Sequence, residues 1–394
     1  MRVALVSPVG HQFGAFSRQC ELARGLIASG ADVVWFGPEV LKPVDGVQYI
    51  RIGGVDEVLS YTKLLCRLKQ PLQKESPSVD VFVAFREYDV LLFSKWAARS
   101  NVPIVFFSRG DILANEFLNQ VNRSGVRKGL GWIKITGYYT LRRVAVSRSD
   151  IMIVQAPQLE WQMRFVDPTI SRQISILPNN SNPSWTNPGL RGSWRTMPRG
   201  TRKTIGYIGR VSPNRGLEDL VHMIGHLSSI FDAHLEVFGP EVNGDGVRQL
   251  VDSLRLTQMV VFRGPTATAQ EEMRKMDVLV ANRFVEGCPN VVLEAMGVGV
   301  PIVSTNIPAY RFLLGRKGVF YRPGDAFDLA DMVRSLLSSP DRSIEYSNYL
   351  SGRGAMFEFD WSTAAARIVI CAARREAVAV PVEVQRILGF DSCC

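Results

Sequence analysis

Residues 1–36 read MRVALVSPVGHQFGAFSRQCELARGLIASGADVVWF. Val3–Val6 and Val33–Phe36 are short, continuous apolar runs, typical of parallel strands that are buried on both faces. Between them, Ser17–Ser29 places its apolar residues at helical spacing, and Gly30 stands where a helix would end. The stretch therefore predicts a strand–helix–strand unit, the building block of doubly wound α/β folds.

The same alternation of apolar runs and longer amphipathic segments continues along the chain. The other predicted strands are Val81–Phe85, Ile104–Phe107, Ile151–Val154, Ile174–Leu177, Thr204–Ile208, His234–Phe238, Val260–Phe262, Val278–Ala281, Ile302–Ser304 and Val319–Tyr321. Asn182–Arg202 interrupts the rhythm, because it is rich in Pro, Gly, Trp and Arg and has no periodicity. It is predicted to connect two domains.

A chain of 394 residues exceeds what one hydrophobic core usually organises. We therefore predict an N-terminal Rossmann-like domain over 1–184, a linker over 185–202 and a second Rossmann-like domain over 203–361. A helix and tail follow over 362–394, and one placement for them is against the N-terminal domain. Two such sheets would face a cleft between the carboxyl ends of their strands, where open α/β sheets bind ligands.

Composition narrows the class of partner. The net charge of +9 favours acidic partners such as phosphate groups, nucleic acid or an anionic membrane. Because no nucleic-acid motif is found, we expect no nucleic acid. The six Cys show no metal-ligand spacing, and with four His a zinc site is not expected. No Asp-x-Asp occurs, which argues against metal-dependent transfer, so we expect neither a metal nor a cofactor.

The densest chemical signal is EGCPNVVLEAMGVGVP, residues 286–301, between two predicted strands. It reads as a loop that leads into a helix beginning near Pro289 or Asn290, since Pro is favoured at a first helical position. The amides of Asn290, Val291 and Val292 would then point out of the helix N-terminus, which attracts a diphosphate. Glu286 and Glu294 flank this terminus, and carboxylates are strong acceptors for the hydroxyls of a ribose and a sugar.

A second signal is GYIGRVSPNRG, residues 206–216, directly after the first strand of the second domain. It brings Gly209 and the guanidiniums of Arg210 and Arg215 to the carboxyl end of that strand. The two cations could neutralise a departing diphosphate without a metal. Charge-assisted hydrogen bonds of this kind contribute about 1.5–3 kcal/mol each.

Together the two segments resemble the retaining GT-B glycosyltransferases of family 4, whose marks are a Gly-Arg…Lys-Gly loop and a Glu-x7-Glu element. The likeness covers nearly all of the second domain, including Phe262-Arg263-Gly264, and reaches Leu177-Pro178-Asn179-Asn180 in the first. It implies Arg210 and Arg215 at the donor pyrophosphate, Glu294 at the ribose and Glu286 at the transferred sugar. Gly239 and the backbone near Arg263 would lie by the base.

The sequence departs from the family pattern at four places, one of which is Cys288, where an aromatic residue or Leu is frequent. Arg215 stands where Lys is usual, and the two cations are not interchangeable. The acceptor loop of the first domain is reduced to residues 10–14, which leaves Gly14 as its candidate. The frequent active-site His is replaced within Ser108-Arg109-Gly110-Asp111, so Arg109 and Asp111 become acceptor-side candidates, although Asp111 also suits a helix N-cap.

The interpretation is a cytoplasmic glycosyltransferase (EC 2.4). It would move a sugar from a UDP- or GDP-linked donor, with retention, to a carbohydrate or glycolipid acceptor bound mainly by the first domain. A nucleotide-sugar epimerase is one alternative, but it needs acid/base residues of which no clear His is present. An inactive nucleotide-sugar-binding partner subunit is the other. The intact Glu286, Glu294, Arg210 and Arg215 oppose it, while the weaker first domain leaves it open.

Residues 123–148 interleave basic and aromatic side chains. Such a segment could dock on an anionic inner membrane leaflet and make the protein peripheral there. It could equally be a basic surface helix whose apolar face packs inside the first domain. The sequence leaves both readings open.

Overall fold

The structure is a computed structural model. It describes residues 1–7, 14–38, 40, 43–54, 61–75, 78–108, 110, 114, 117, 126–168, 173–181, 188–196, 200–212, 215–242 and 245–389. The chain divides into two compact units. The first unit comprises Met1–Pro178 and Asp360–Gln385, and the second comprises Asn179–Phe359 with the end of the chain from Arg386.

Each unit contains one parallel sheet. Within the described residues, the first sheet has seven strands in the order β3-β2-β1-β4-β5-β6-β7, and the second has six in the order β10-β9-β8-β11-β12-β13. The strands are β1 (Arg2–Val6), β2 (Asp32–Pro38), β3 (Val47–Gly53), β4 (Val81–Ala84), β5 (Ile104–Ser108), β6 (Ile151–Val154), β7 (Gln173–Ile176), β8 (Lys203–Ile208), β9 (Ala233–Phe238), β10 (Val260–Gly264), β11 (Val278–Ala281), β12 (Ile302–Thr305) and β13 (Val319–Tyr321).

Helices alternate with these strands in both units. They are α1 (Gly14–Ala28), α2 (Tyr61–Glu75), α3 (Glu87–Ser100), α4 (Val126–Arg148), α5 (Pro157–Val166), α6 (Leu217–Leu227), α7 (Asp245–Ser253), α8 (Ala269–Lys275), α9 (Asn290–Val298), α10 (Pro308–Leu314), α11 (Ala326–Leu337), α12 (Pro340–Ala355), α13 (Trp361–Ala373) and α14 (Val382–Gly389). Among the described residues, no helix combines the length and the apolar character that crossing a membrane requires.

The predicted α/β class with two Rossmann-like sheets is confirmed. The buried apolar runs became strands because both faces of each sheet are covered, and β4, β5, β6, β11 and β12 are buried throughout. Strand order reverses between β1 and β4 in the first sheet and between β8 and β11 in the second. These are the switch points at which open α/β sheets leave a crevice for ligands.

The segment predicted as a linker is instead part of the second unit. It forms two short 3₁₀ helices, Pro188–Leu190 and Ser193–Thr196. The Trp194 side chain is buried, and its Nε1 donates to the carbonyl of Met276 at 2.7 Å. The predicted linker was wrong because the irregular composition of the segment hid this buried indole anchor.

The boundary at residue 184 also moves. Asn179 begins the second unit. Asn180 Nδ2 donates to the carbonyl of Phe359 at 2.7 Å, and the Ser181 amide donates to the carbonyl of Phe357 at 2.9 Å. These contacts draw residues 179–181 to the second unit, so the N-terminal domain ends six residues earlier than predicted.

The last long helix, α13, belongs to the first unit and packs against α1. The contact is close because Gly25 has no side chain: a Cβ there would lie 2.2 Å from the carbonyl oxygen of Ser362. The guanidinium of Arg18 lies 5.1 Å from the Trp361 ring, within cation–π range. Trp361, predicted as the end of the second domain, therefore lies in the first unit.

Candidate donor site in the second unit

The residues singled out in the second domain gather at the carboxyl edge of its sheet. Residues 209–216 follow β8, and residues 282–289 follow β11. These two strands are neighbours at the point where the strand order reverses. The crevice that this topology leaves is therefore lined by both sequence signals.

Two glycines bring the loops of this edge together. Gly239 has a φ of +143°, and a Cβ there would lie 1.8 Å from the carbonyl oxygen of Gly209. The Gly209 amide donates to Phe238 at 2.9 Å, and the Gly239 amide donates to Gly264 at 2.8 Å. The loops after β8, β9 and β10 are thus joined backbone to backbone, which only Gly at 239 allows.

Arg263, predicted to lie by the base through its backbone, has its side chain engaged elsewhere. Its Nη2 lies 2.6 Å from Oε1 of Glu236. The pair fixes the guanidinium along β9 and β10, and the backbone of the next residue, Gly264, accepts the bond from Gly239. Arg263 therefore contributes to the loop framework, and its predicted place beside a base stays a prediction.

Arg210 and Arg215 lie close together, as predicted from their shared loop. Arg210 is exposed, and within the described residues its guanidinium has no hydrogen-bond acceptor or anionic partner. Arg215 is half-buried, and its guanidinium makes no hydrogen bond or close ion pair there, although the Glu286 carboxylate lies near enough to attract it. Burial, then the positive charges of Arg283 and Arg210, lower the pKa of Arg215. Like charges held together in a partly desolvated place favour an anion between them.

Arg283 is the residue that the sequence analysis missed. It is the second residue after the buried strand β11, directly following Asn282, at the switch point. Its Nη1 lies 3.3 Å from Oε2 of Glu286, and its carbonyl accepts from the Thr305 hydroxyl at 2.5 Å. A guanidinium at the carboxyl end of a switch-point strand was the available signal.

Glu286 is held through both of its carboxylate oxygens. One oxygen pairs with Arg283, and the other accepts the Gly287 amide at 3.2 Å. The side chain keeps 24% of its surface exposed, so its remaining lone pairs can still accept hydroxyl protons. Arg283 thus fixes the orientation of the predicted sugar-binding carboxylate.

The helix predicted to begin near Pro289 or Asn290 is α9. Pro289 is its N-cap residue, and no side chain caps the terminus. The amides of Asn290 and Val291 have no acceptor among the described residues, whereas the Val292 amide donates to the carbonyl of Pro289 at 3.3 Å. The tight first turn uses the Val292 amide in its own hydrogen bond. Two of the three predicted amides, those of Asn290 and Val291, are therefore available to an anion.

Asn290 has its backbone amide available at the helix N-terminus, whereas its side chain is engaged. Its Oδ1 accepts from Nδ2 of Asn179 at 2.8 Å, and the same Nδ2 donates to the carbonyl of Cys288 at 2.5 Å. Asn179 is buried. It therefore fixes the loop that leads into α9, a role for the Leu-Pro-Asn-Asn segment that the sequence did not disclose.

Glu294 lies on the second turn of α9. It makes no hydrogen bond and no ion pair within the part of the chain that the structure describes, and desolvation raises the pKa of its carboxyl to about 7. A carboxyl group without an internal partner is costly to bury. Its predicted contact with a ribose stays a prediction.

Of the three acceptor-side candidates in the first unit, the structure describes one. Gly14 is the first residue of α1. Arg109 and Asp111 lie outside the described residues. Among the described residues, Arg142 is buried and pairs with Glu87 at 3.4 Å, and its Nη2 donates to the Ser108 hydroxyl at 3.3 Å. The described charges at this edge are paired with one another.

Comparison with known proteins gives the family of the second unit. Residues 202–339 match the family model of the glycosyl transferases group 1. This unit is a group 1 glycosyltransferase domain. The resemblance drawn from the Glu-x7-Glu and Gly-Arg segments is thereby confirmed.

Two curated bacterial relatives of the chain are named as a mannosyltransferase and a glycosyltransferase. The phosphatidyl-myo-inositol mannosyltransferase of Mycobacterium leprae is 29% identical over 174 residues, 42% of this chain and 45% of the relative. The lipopolysaccharide core glycosyltransferase LpsD of Rhizobium meliloti is 24% identical over 52% of this chain and 56% of its own. The chain therefore spans about half the length of these relatives.

Solved structures show that the likeness in fold extends over both units. The sucrose-phosphate synthase of Thermosynechococcus elongatus matches 95% of this chain and 98% of its own with a TM-score of 0.75 at 19% identity. The Anabaena protein HepE, solved with UDP-glucose, matches 93% and 98% with a TM-score of 0.72 at 15% identity. The chain has the GT-B fold of these glycosyltransferase structures.

Proposed function

We propose that the protein transfers a sugar from a nucleoside-diphosphate-sugar to a hydroxyl acceptor. The observation that carries the proposal is the pair of guanidiniums, Arg210 and Arg215, which make no close ion pair among the described residues, while the nearby Glu286 carboxylate is paired with Arg283. They lie beside Arg283, at the switch point of a group 1 glycosyltransferase domain. A diphosphate supplies the negative charge that this cluster lacks.

Different residues of the site would bind different parts of the donor. The cations and the Asn290 and Val291 amides of α9 would bind the diphosphate, and their stabilisation grows as negative charge develops on the leaving group. Glu294 would accept ribose hydroxyls, and Glu286, oriented by Arg283, would accept hydroxyls of the transferred sugar. HepE was solved with UDP-glucose, which supports a UDP-sugar over a GDP-sugar as the first donor to test.

We further propose that transfer retains the anomeric configuration, without a metal or a cofactor. Within the described residues, no cluster of His, Cys, Asp and Glu has the arrangement of a metal site. The donor phosphate would take the proton of the acceptor hydroxyl on the face from which the phosphate departs, while the guanidiniums stabilise the diphosphate. The acceptor would be a carbohydrate or a glycolipid bound by the first unit, in keeping with the relatives' names.

The test measures nucleoside diphosphate release from a panel of UDP- and GDP-sugars. For the wild-type protein we expect release from at least one donor, and for Glu286→Ala a loss of about 100-fold, the scale of removing one transition-state contact. Glu272→Ala is the matched control. Glu272 is also a half-buried carboxylate paired with a cation, Lys275, but it lies on α8. Its rate should equal that of the wild type.

Two results would overturn the proposal. One is equal, negligible release by the wild type and Glu286→Ala from every donor, which would indicate a binding subunit. The other is conversion of the donor to an isomeric nucleotide sugar without release of the diphosphate, which would indicate an epimerase. Thermal-shift screening of the same panel shows in either case which donor binds, because a bound ligand stabilises the folded state.

A further inference from the structure

A groove of about 880 Å³, here named the amino-edge groove, lies in the first unit. Ile104, Ile151 and Gln173, the first residues of β5, β6 and β7, line it, together with residues near the ends of α3, α4 and α13. Because the strands are parallel, this edge is opposite to the carboxyl edge of the same sheet. Small molecules bind in pockets of roughly 300–1,000 Å³, so the groove has the size of a separate ligand site.

Three cations from three different segments line the amino-edge groove: Lys95 on α3, Arg148 at the end of α4 and Arg375 beyond α13. Nη1 of Arg148 donates to the Ser94 hydroxyl at 2.9 Å, and Nη2 of Arg375 donates to the carbonyl of Asn101 at 2.7 Å. Lys95 is exposed and makes no hydrogen bond or ion pair among the described residues. The guanidiniums are thus bonded to neutral groups, which leaves their charge uncompensated.

Two carboxylates also line the groove, and both accept hydrogen bonds from the protein itself. Oδ2 of Asp150 accepts from the Ile104 amide at 2.8 Å. The carboxylate of Glu376 accepts from the Cys371 thiol. With three cations against two engaged carboxylates, the lining offers a ligand more charged donors than acceptors.

The positions of the cations distinguish a ligand site from ordinary complementation of helix dipoles. A cation in the last turn of a helix stabilises its negative end, which explains Arg148, the last residue of α4. The same effect does not explain Lys95, which lies more than one turn before the end of α3 at Ser100. Arg375 lies beyond Ala373, where α13 ends. Two of the three cations therefore need another explanation.

Arg375 has a backbone conformation that favours another residue type. Its φ is +57°, and it directly follows Arg374, the C-cap residue of α13. Gly is usual at this position, because a Cβ is disfavoured in the left-handed region. The Arg side chain nevertheless occupies it and bonds to the Asn101 carbonyl, so it joins the segment after α13 to the end of α3. This contact fixes two walls of the groove relative to each other.

We propose that the amino-edge groove binds a small phosphorylated molecule of about the size of a sugar phosphate. A phosphate monoester carries a charge of about −1.5 to −2 at pH 7, which the cations of the groove would compensate. Guanidiniums suit its oxygens, because they form charge-assisted and often bidentate hydrogen bonds. A long polyanion is a poorer occupant, since its repeated charges would also meet Asp150 and Glu376.

The experiment is hydrogen exchange of the full chain, read by mass spectrometry, with glucose 6-phosphate or with glucose at the same concentration. We expect glucose 6-phosphate alone to slow exchange in residues 94–103 and 147–151, because a bound ligand stabilises the segments it contacts. Residues 209–216 and 282–291 are read in the same samples, so binding of the phosphate at the candidate donor site is recognised separately. No nucleotide sugar is present, and the result is therefore independent of the function proposed above.

Variants test whether the cations of the groove carry the binding. Arg148→Gln/Arg375→Gln should raise the Kd of glucose 6-phosphate, measured by calorimetry, at least tenfold, because two charge-assisted contacts are lost. Arg375→Gly should also weaken binding, and it relaxes the left-handed backbone, so misfolding would not explain the loss. Arg375→Lys keeps the charge and should weaken binding less than Arg375→Gly.

The matched control is Arg99→Gln/Arg143→Gln. Both side chains are exposed on α3 and α4 but do not line the groove, so the variant removes the same charge from the same helices. It should bind glucose 6-phosphate like the wild type. An equal loss of affinity in this control would overturn the proposal, and so would an unchanged Kd in Arg148→Gln/Arg375→Gln or equal protection by glucose. Protection of the groove by a single-stranded oligonucleotide but not by glucose 6-phosphate would also overturn it, in favour of a long polyanion.

Discussion

At the carboxyl edge of the first sheet, the described charged side chains neutralise one another, whereas at the same edge of the second sheet several are left without a partner. Arg142 pairs with Glu87, and Arg86 makes a close ion pair with the fully buried Asp89. In the second unit, neither Arg210 nor Arg215 makes a close ion pair among the described residues, and the Glu286 carboxylate near Arg215 is paired with Arg283. Both edges lie at a switch point of the same strand order.

The contrast separates charges that maintain the fold from charges that serve a ligand. Burying a charge is costly unless a partner compensates it. In the first unit the partner is internal, so removing it should lower stability. In the second unit the partner we propose is a diphosphate, so removing a cation should lower turnover and leave the free energy of unfolding intact.

The largest expected effect comes from breaking the internal pair of the first unit. Arg142→Met leaves Glu87 buried without its cation, and the free energy of unfolding of that unit should fall by about 3–5 kcal/mol. Urea titration read by hydrogen exchange and mass spectrometry resolves the first unit from the second.

The double variant Arg142→Met/Glu87→Gln is the control, since it removes the unpaired charge along with its partner. It should recover part of the lost stability. A loss below 1 kcal/mol in Arg142→Met would show that the pair does not stabilise the unit, and the contrast between the two edges would then fail.

Arg215→Gln should produce the opposite pattern. We expect turnover of the donor to fall by about 10²–10³-fold, because a cation that faces developing negative charge is lost. The free energy of unfolding should stay the same or rise, since burial and the neighbouring Arg283 already disfavour the charge of Arg215. Steady-state kinetics and urea unfolding of the same preparation measure both quantities.

Arg202→Gln is the matched control. Its side chain is 51% exposed and pairs with Asp232 at 3.5 Å on the surface of the second unit. Exposed pairs contribute about 0–1 kcal/mol, so neither turnover nor stability should change much. An Arg215→Gln protein that loses stability but keeps its turnover would place Arg215 among the structural cations.

Much of the fold could be predicted from the sequence because parallel strands covered on both faces leave continuous apolar runs. β6, β11 and β13 begin and end where those runs do. The strand that was missed, β3, is at the edge of its sheet and only half-buried, so Gln48 and Arg51 interrupt its apolar residues. A strand with one exposed face gives no continuous run to detect.

The donor site could be predicted in part, and the limit has a physical reason. Residues close in sequence, such as Arg210 and Arg215, can be predicted to lie together because they share the loop that follows one strand. Asn179 acts through a contact between distant segments, with Asn290. The sequence does not encode such a contact in any local spacing, so it became visible only in the structure. Arg283 differs, because it lies only three residues before its partner Glu286 and its place after β11 was a local signal.

Glu294 gives the smallest and most specific prediction. Desolvation raises the pKa of its carboxyl from 4.5 to about 7, so between these pH values the folded protein holds a proton that the unfolded chain releases. The free energy of unfolding should therefore fall as pH rises through this window and, for this group, become constant above it. Urea titrations at pH 5, 6, 7 and 8 would measure how the free energy of unfolding changes across this window.

Glu294→Gln should flatten that slope, because an amide does not titrate. Nucleoside diphosphate should bind the wild-type protein more tightly as pH rises through about 7, since ribose hydroxyls bond best to the ionised carboxylate. The variant should lack this component of the pH dependence. If both proteins show the same pH dependence of stability and of nucleotide affinity, Glu294 neither titrates in this window nor contacts the ribose, and the unpartnered carboxyl of α9 would need another ligand.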